Sequence, residues 1–255
     1  MRLIYTTICI LFFQASAFTQ AKEAYFDAGK WLIGIKAGAA LSSIDGIKST
    51  LIREWYPDST FTAEKKYRWG ATGGVFFYYR FKNSAVAFQQ EITYSMQGSR
   101  FHYTDSILLS PIDTVGLSYE MKFRYQYLNI MPMLKIYPFF QNDNFLRAIN
   151  LNIGLQLGIN VAQENIKYES NKPYLGPDLQ IEENLRSVLK GRTDVAVVLG
   201  ISGELKGKIP LSFDGRVNLG LADTIETLAN GYNFIQNRNP SISFQLSVGY
   251  AWQID

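Results

Sequence analysis

At 255 residues and 47% hydrophobic content the chain is long and apolar enough to bury a core, which excludes an intrinsically disordered protein. The formal charge is +3, but the basic residues are scattered rather than gathered into a stripe, so there is no nucleic-acid footprint. The outlier is aromatic content, 15%, with 16 Tyr and 17 Phe.

The first residues, MRLIYTTICILFFQASAFTQ, place a basic start at Arg2 before an apolar run from Leu3 to Phe13 and small residues at Ala15, Ser16 and Ala17. This layout predicts a secretory signal peptide over residues 1–19, cleaved between 17 and 21, and a short periplasmic segment over 20–30. Cys9, the sole cysteine, leaves with the signal, so the exported chain is expected to carry no thiol or disulfide. No later stretch approaches the eighteen or so apolar residues of a membrane-spanning helix.

From residue 31 onward the pattern has period two, the signature of strands with two unlike faces. It is cleanest in Ile149–Val161, Ile209–Leu221 and Ile242–Trp252, and holds for Trp31–Ser42, Tyr67–Phe81, Val86–Arg100, Met121–Phe139 and Val195–Leu205. In the fourth of these in chain order the apolar phase is odd through Met121, Phe123, Tyr125 and Tyr127, then even at Leu128, Ile130, Pro132, Leu134 and Ile136. That switch predicts a bulge between Tyr127 and Pro132.

The connections alternate: long at 43–66, 101–120, 162–194 and 222–240, short at Lys82–Ala85, Gln141–Asn144 and Lys206–Lys208. Within the third long connection, Ile181, Leu185 and Val188 recur at helical spacing with Gly191 as the expected stop, predicting a short rim helix. The fold expected over residues 31–255 is therefore all-β: an antiparallel up-and-down transmembrane β-barrel of about eight strands, with short periplasmic turns and long extracellular loops. Neighbouring strands are expected to form hairpins, with both ends of the barrel domain on the short-turn side.

Ring side chains are expected in two girdles, with Trp31, Tyr79, Phe81, Phe88, Tyr137, Phe139, Tyr250 and Trp252 at the short-turn end and Tyr67, Trp69, Phe123, Tyr125, Tyr127 and Phe244 at the long-loop end. Aliphatic side chains lie between the two bands. The opposite faces carry Lys36, Glu91, Lys135, Glu204, Asp214 and Arg216, read as a paired charge network inside the lumen, because each charge would cost a few kcal/mol against lipid. Phe76, Tyr78, Met131 and Met133 are expected to help fill that lumen. A soluble lipocalin-like barrel is the competing fold and requires the aliphatic face inside.

Four segments, GIKAGAALSSI from Gly34, FQQEITYSMQG from Phe88, YLNIMPMLKIY from Tyr127 and the closing SFQLSVGYAW, together resemble the PorT-like outer-membrane barrel family, with Glu91, Tyr94, Gly98 and Pro132 at recognisable positions of its pattern. The resemblance implies a small bacterial outer-membrane barrel, whose namesake is connected with protein secretion and gliding-associated export. The regular last strand also resembles the signal read by the barrel-assembly machinery, with Gln253, Ile254 and Asp255 following Trp252 where an aromatic usually finishes.

No cofactor or metal site is expected, since the sole histidine, His102, stands without a cysteine or a second imidazole. His102 with Ser99 or Thr104 and Asp105 does not secure the geometry of a hydrolase by spacing alone, Glu182 and Glu183 read as solvation, and ATGGV lacks the Lys-Ser or Lys-Thr of a phosphate loop. No enzymatic activity is expected. The expected partners are outer-membrane lipid, the assembly machinery at the last strand, and a protein, glycan or lipid at the long loops. A narrow pore or small-ligand barrel, and a lipid-modifying enzyme centred on His102, are the alternatives the residues leave open.

Overall fold

The computed structural model describes residues 29–44, 62–110, 113–141, 145–162, 166–171, 178–205, 210–227 and 239–254. The expected signal peptide and its cleavage region lie outside the described residues, as does most of the first long connection.

In chain order the elements are β1 (Trp31–Ile44), β2 (Thr62–Arg80), β3 (Val86–Ser110), β4 (Asp113–Ile136), β5 (Ile149–Ala162), β6 (Lys167–Ser170), α1 (Asp178–Val188), β7 (Leu189–Gly191), β8 (Asp194–Glu204), β9 (Leu211–Asp223), β10 (Ile225–Thr227) and β11 (Pro240–Ile254). Strands β1, β2, β3, β4, β5, β8, β9 and β11 pair antiparallel into a closed ring of eight, sealed where β11 meets β1 from Trp31↔Ile254 to Ile44↔Ser241. Closure matters because an open sheet edge has no hydrogen-bond partner in lipid.

The register fixes the shape of the ring. Stepping from Trp31 through its paired neighbours Tyr79, Phe88, Leu134, Ile153, Leu199, Val217 and Phe244 returns to β1 at Leu41, ten residues further on. That stagger tilts the strands by about 40° and gives a radius of about 8 Å at ordinary strand spacings. Every side chain on the path is apolar and on the outer surface. The path one residue over, Leu32, Tyr78, Gln89, Met133, Gly154, Val198, Asn218, Ser243 and Ser42, points inward; its side chains are buried, and its one glycine leaves room for Met133.

At this tilt each residue climbs about 2.5 Å along the axis, so an apolar band about 25 Å tall takes roughly ten residues of strand. β3 and β4 are more than twice that, 25 and 24 residues. The expected 101–120 loop is corrected accordingly: it is the upper half of a hairpin paired without a break up to Leu108↔Thr114, with Ser110↔Asp113 beyond a single irregularity. β2 accompanies it from Tyr67↔Ser99 to Thr62↔Thr104, and β6 lies along the other side through Tyr119↔Ser170 to Lys122↔Lys167. One wall of the barrel thus continues above the rim as a four-stranded sheet.

The bulge expected between Tyr127 and Pro132 is absent. β4 keeps odd residues inside and even residues outside from Met121 to Ile136, in unbroken register with β3. The irregularity sits on the facing strand, where Gln126↔Ala162 is followed by Tyr127↔Asn160. The apolar phase switches because the surroundings change with height, not because the strand turns over: low on the strand the apolar residues are the exposed outer ones, while high on it they are the buried inner ones.

The rim helix forms as α1, but Gly191 does not stop it. The helix ends at Val188 and runs into β7, which pairs with β10 from Ile225↔Gly191 to Thr227↔Leu189. Gly191 is small for another reason: a Cβ there would stand 2.0 Å from Asn160 Nδ2 and 2.7 Å from the Tyr125 ring. α1 is fastened to the chain before it by the Tyr168 amide, which donates to Glu182 Oε1 at 3.0 Å, and by Arg186, which donates to the Ile166 carbonyl at 3.2 Å. Glu182, read as solvating, is therefore a docking contact. At the opposite end the β2–β3 turn is tight, with Asn83 in the left-handed region at φ 53°, and β4 stops at Ile136, short of the expected Phe139.

Candidate functional site

Strand parity sends Lys36 from β1, Glu91 from β3 and Asp214 and Arg216 from β9 into the lumen at mid-height, where all four are buried. Lys36 Nζ donates to Glu91 Oε1 at 2.8 Å and to Asp214 Oδ2 at 2.9 Å. Arg216 grips Glu91 with both ends of its guanidinium, at 2.8 and 2.7 Å, and reaches Asp214 Oδ2 at 3.3 Å. Two cations and two carboxylates close into a neutral ring. Gln89 donates to Glu91, and Ser202 and Asn152 donate to Asp214, so the oxygens are occupied from outside the ring as well. A buried charge is tolerated on these terms, paired and with its remaining lone pairs filled.

The other two charges expected in the network stand apart from it. Glu204 accepts from the Tyr137 hydroxyl and from Asn150 at 3.3 Å, and Tyr137 shares a 2.6 Å hydrogen bond with Tyr78. Lys135 lies with its ammonium 5.7 Å from the Tyr78 ring. Sequence reasoning missed Arg80, whose guanidinium sits 4.2 Å over the Tyr137 ring. Its even position in β2, shared with Phe76 and Tyr78, was the available signal. Above the ionic ring the lumen is lined by buried Thr93, Asn129, Gln156, Asn218 and Ser243, and Phe76, Met131 and Met133 are buried within it.

The outer surface at the same level carries Val75, Ile92, Ile130, Leu134, Ile153, Leu155, Leu199, Ile201, Leu246 and Val248, all exposed. A polar inside and an apolar outside invert a soluble barrel. The sequence profile described as "Outer membrane protein beta-barrel domain" matches residues 14–226. The chain belongs to this outer-membrane β-barrel family. Among solved structures it is similar to Neisserial surface protein A, at 13% identity and a TM-score of 0.36, covering 87% of this chain and 97% of that one. It is also similar to Ail, the attachment invasion locus protein of Yersinia pestis, solved in complex with the heparin analogue sucrose octasulfate, at 10% identity and a TM-score of 0.28, covering 88% and 99%. No curated protein matches the sequence.

For an outer-membrane barrel the exposed rings locate the interfaces. At the short-turn end Trp31 stacks on Tyr79 at 4.6 Å between centroids, Tyr79 meets Phe81 edge-on at 5.3 Å, and Tyr250 lies 5.9 Å from Trp252. Phe88, cross-strand from Tyr79, continues the band on the outer face. At the long-loop end the exposed rings among the described residues are Trp69, Tyr67 and Phe244, the last two 6.1 Å apart. Tyr125 and Tyr127, expected in this girdle, are instead fully buried in the lumen, as are Phe123 and, at the other end, Tyr137. Their odd positions in and just after β4 point inward at every height, so the upper girdle is thinner than the sequence suggested.

His102 is half-buried on the outer face of the sheet above the rim, cross-strand from Glu64 and Glu120. Ser99, an odd number of residues away, faces inward and hydrogen-bonds Ser43 at 3.3 Å. Parity therefore separates the nucleophile from the base. The Thr104 and Asp105 side chains lie outside the described residues, and among the described residues no cluster of three metal-ligating side chains occurs. The same outer face carries Arg100, Lys122 and Arg124, and Arg68 reaches onto it from the irregular stretch of β2 between Tyr67 and Thr72, a grouping that sequence reading missed because its members come from three strands and Arg68 breaks the parity of its own.

Proposed function

We propose that this outer-membrane barrel is a plugged scaffold whose work is binding, carried out by the structure it raises above the membrane. The observation that carries this reading is the disproportion between its two ends: below, a tight β2–β3 turn and a β4–β5 connection with one short 3-10 turn at Phe145–Ala148, and above the rim a sheet of β2, β3, β4 and β6 with α1 docked beside it. Material built beyond what spanning requires is the usual place for function on a rigid scaffold. The ionic ring of Lys36, Glu91, Asp214 and Arg216 serves as the plug, and eight strands leave little room around it. Export by the N-terminal signal and insertion through recognition of the β11 strand belong to the same reading. The resemblance to PorT-like barrels supports a role in the envelope or in secretion, with a protein or glycan partner at the extracellular face.

The test uses the full chain and a variant in which residues 104–117 are replaced by a two-residue turn. Both are expected to migrate faster unboiled than boiled, as folded barrels do, and to show no stable single-channel conductance in planar bilayers. Only the full chain is expected to bind in a glycan array or in surface cross-linking on cells. Steady conductance by both forms, with no binding that depends on the hairpin, would overturn the proposal in favour of a narrow pore.

A further inference from the structure

On the lipid-facing side of β4 the exposed aliphatic residues end at Leu128, and the next outward residues are Gln126, Arg124 and Lys122. At about 2.5 Å per residue, Arg124 stands about 10 Å above Leu128, at the level where headgroups replace acyl chains. Arg100 of β3 faces outward beside it, cross-strand from Lys122. Arg68 reaches over from β2: its Cδ lies 3.2 Å from where a Cβ on Gly98 would be, and its guanidinium donates to the Phe123 carbonyl at 3.3 Å. Gly98, the cross-strand partner of Arg124, is thus the gap through which Arg68 joins the group.

The compensation here is incomplete. Arg100 pairs with Glu120 at 3.0 Å, and Lys122 reaches Glu169 at 2.8 Å and Glu120 at 3.4 Å, so both carboxylates are already engaged. Arg68 and Arg124 have no carboxylate within ion-pair distance among the described residues; Arg124 donates to the Met96 sulfur at 2.8 Å, and Arg68 feels the like charges of Arg124 and Arg100. Lys66 and Lys167 flank the group, each cross-strand from one of its members. Guanidiniums held together against their own repulsion, just above a lipid face and with Trp69 exposed below them on the same strand, suit a multivalent anion that also carries acyl chains.

We infer that the outward face of β2, β3 and β4 above the membrane binds the phosphate groups of an outer-leaflet phosphorylated lipid, with Arg68 and Arg124 as its principal ligands and Arg100 and Lys122 at its edge. The lipid is held from outside the barrel. This site is separate from the binding proposed for the hairpin above it.

The experiment is native mass spectrometry of the detergent-solubilised full chain with three probes: diphosphoryl lipid A, the same lipid with its phosphates removed, and inorganic pyrophosphate. The native chain is expected to retain the diphosphoryl lipid, with Arg68→Gln/Arg124→Gln weakening retention at least about tenfold. Arg68→Lys/Arg124→Lys is expected to keep part of it, and Arg147→Gln, in the β4–β5 connection at the opposite end of the barrel, all of it. The dephosphorylated lipid should bind the native chain no better than the double Gln variant binds the intact lipid. Equal retention by the Gln variant, or equal binding of the dephosphorylated lipid, overturns the inference. Pyrophosphate binding as tightly as the lipid overturns the lipid assignment. Should the double Gln variant fail to migrate as a folded barrel, Arg124→Gln alone, whose side chain among the described residues hydrogen-bonds the Met96 sulfur and no carboxylate, is judged by the same criteria.

Discussion

Glu91 is the hinge of the ionic ring, and its replacement by Gln is the most informative perturbation of the barrel. The carboxylate is fully buried and takes three of the ring's hydrogen bonds, from Lys36 at 2.8 Å and from Arg216 at 2.8 and 2.7 Å. Glu91→Gln keeps the shape but leaves two cations sharing Asp214, a net positive charge buried away from bulk solvent. Removing one partner of a buried pair costs about 3–5 kcal/mol. Arg216→Gln should cost a similar amount with the opposite sign of residual charge. The double variant leaves Lys36 and Asp214 still paired at 2.9 Å and the remaining pair of the ring neutral, so it should cost no more than either single change. The expected coupling is therefore about 3 kcal/mol in favour of the double variant. Urea unfolding in phospholipid vesicles, followed by tryptophan fluorescence, measures all four corners of the cycle. Single variants that lose less than about 1 kcal/mol, with a double variant equal to their sum, would show that the charges are hydrated and independent, and the plug argument would fail.

Three further outcomes follow from the same structure. Gly38→Val should prevent closure, because a Cβ at Gly38 would stand 2.1 Å from the Leu246 carbonyl oxygen across the β1–β11 seam; the variant should lose the unboiled fast-migrating form on gels. Leu246→Arg, at an outward position 69% exposed at mid-height, should cost about 2–4 kcal/mol in vesicles, and a loss under about 1 kcal/mol would mean that this face does not meet lipid. Above the membrane, hydrogen bonding between the two holds the Lys122 ammonium above its ordinary value and the Glu169 carboxyl below its own. Glu169 contributes above the ordinary carboxylate range and loses that contribution as pH falls through its lowered value; Lys122 contributes below the ordinary lysine value and loses its contribution as pH rises through its raised one. Lys122→Gln should therefore loosen β6 at neutral pH, by less than about 1 kcal/mol for so exposed a pair, and match the native chain at both pH extremes in hydrogen exchange.

What the sequence could disclose was parity, and parity carried far. All eight ring strands, the inward turn of Lys36, Glu91 and Arg216, and the outward turn of Trp31 and Trp252 follow from alternation alone. Alternation is silent on which inward residues meet. Lys36 and Asp214 are 178 residues apart and Arg216 and Glu91 are 125 apart, and they touch across the lumen rather than along a strand pair. Lys135 and Glu204 share the parity but lie lower on their strands, so they fall out of the ring. Register and tilt decide this, and a single sequence fixes neither.

Height is the coordinate that alternation lacks, and β4 shows how to recover part of it. On a strand of constant parity, the residue at which hydrophobicity changes face marks where the outside solvent changes. On β4 that residue is Tyr127 or Leu128, and the sequence shows it plainly; the error lay in explaining it by a bulge, which reverses the face, instead of by a boundary, which reverses the solvent. The same boundary returns Tyr125 and Tyr127 to the lumen and leaves Lys122 and Arg124 outward in the headgroup layer. The misplaced girdle and the missed cationic face therefore share one cause, and reading parity together with height corrects both.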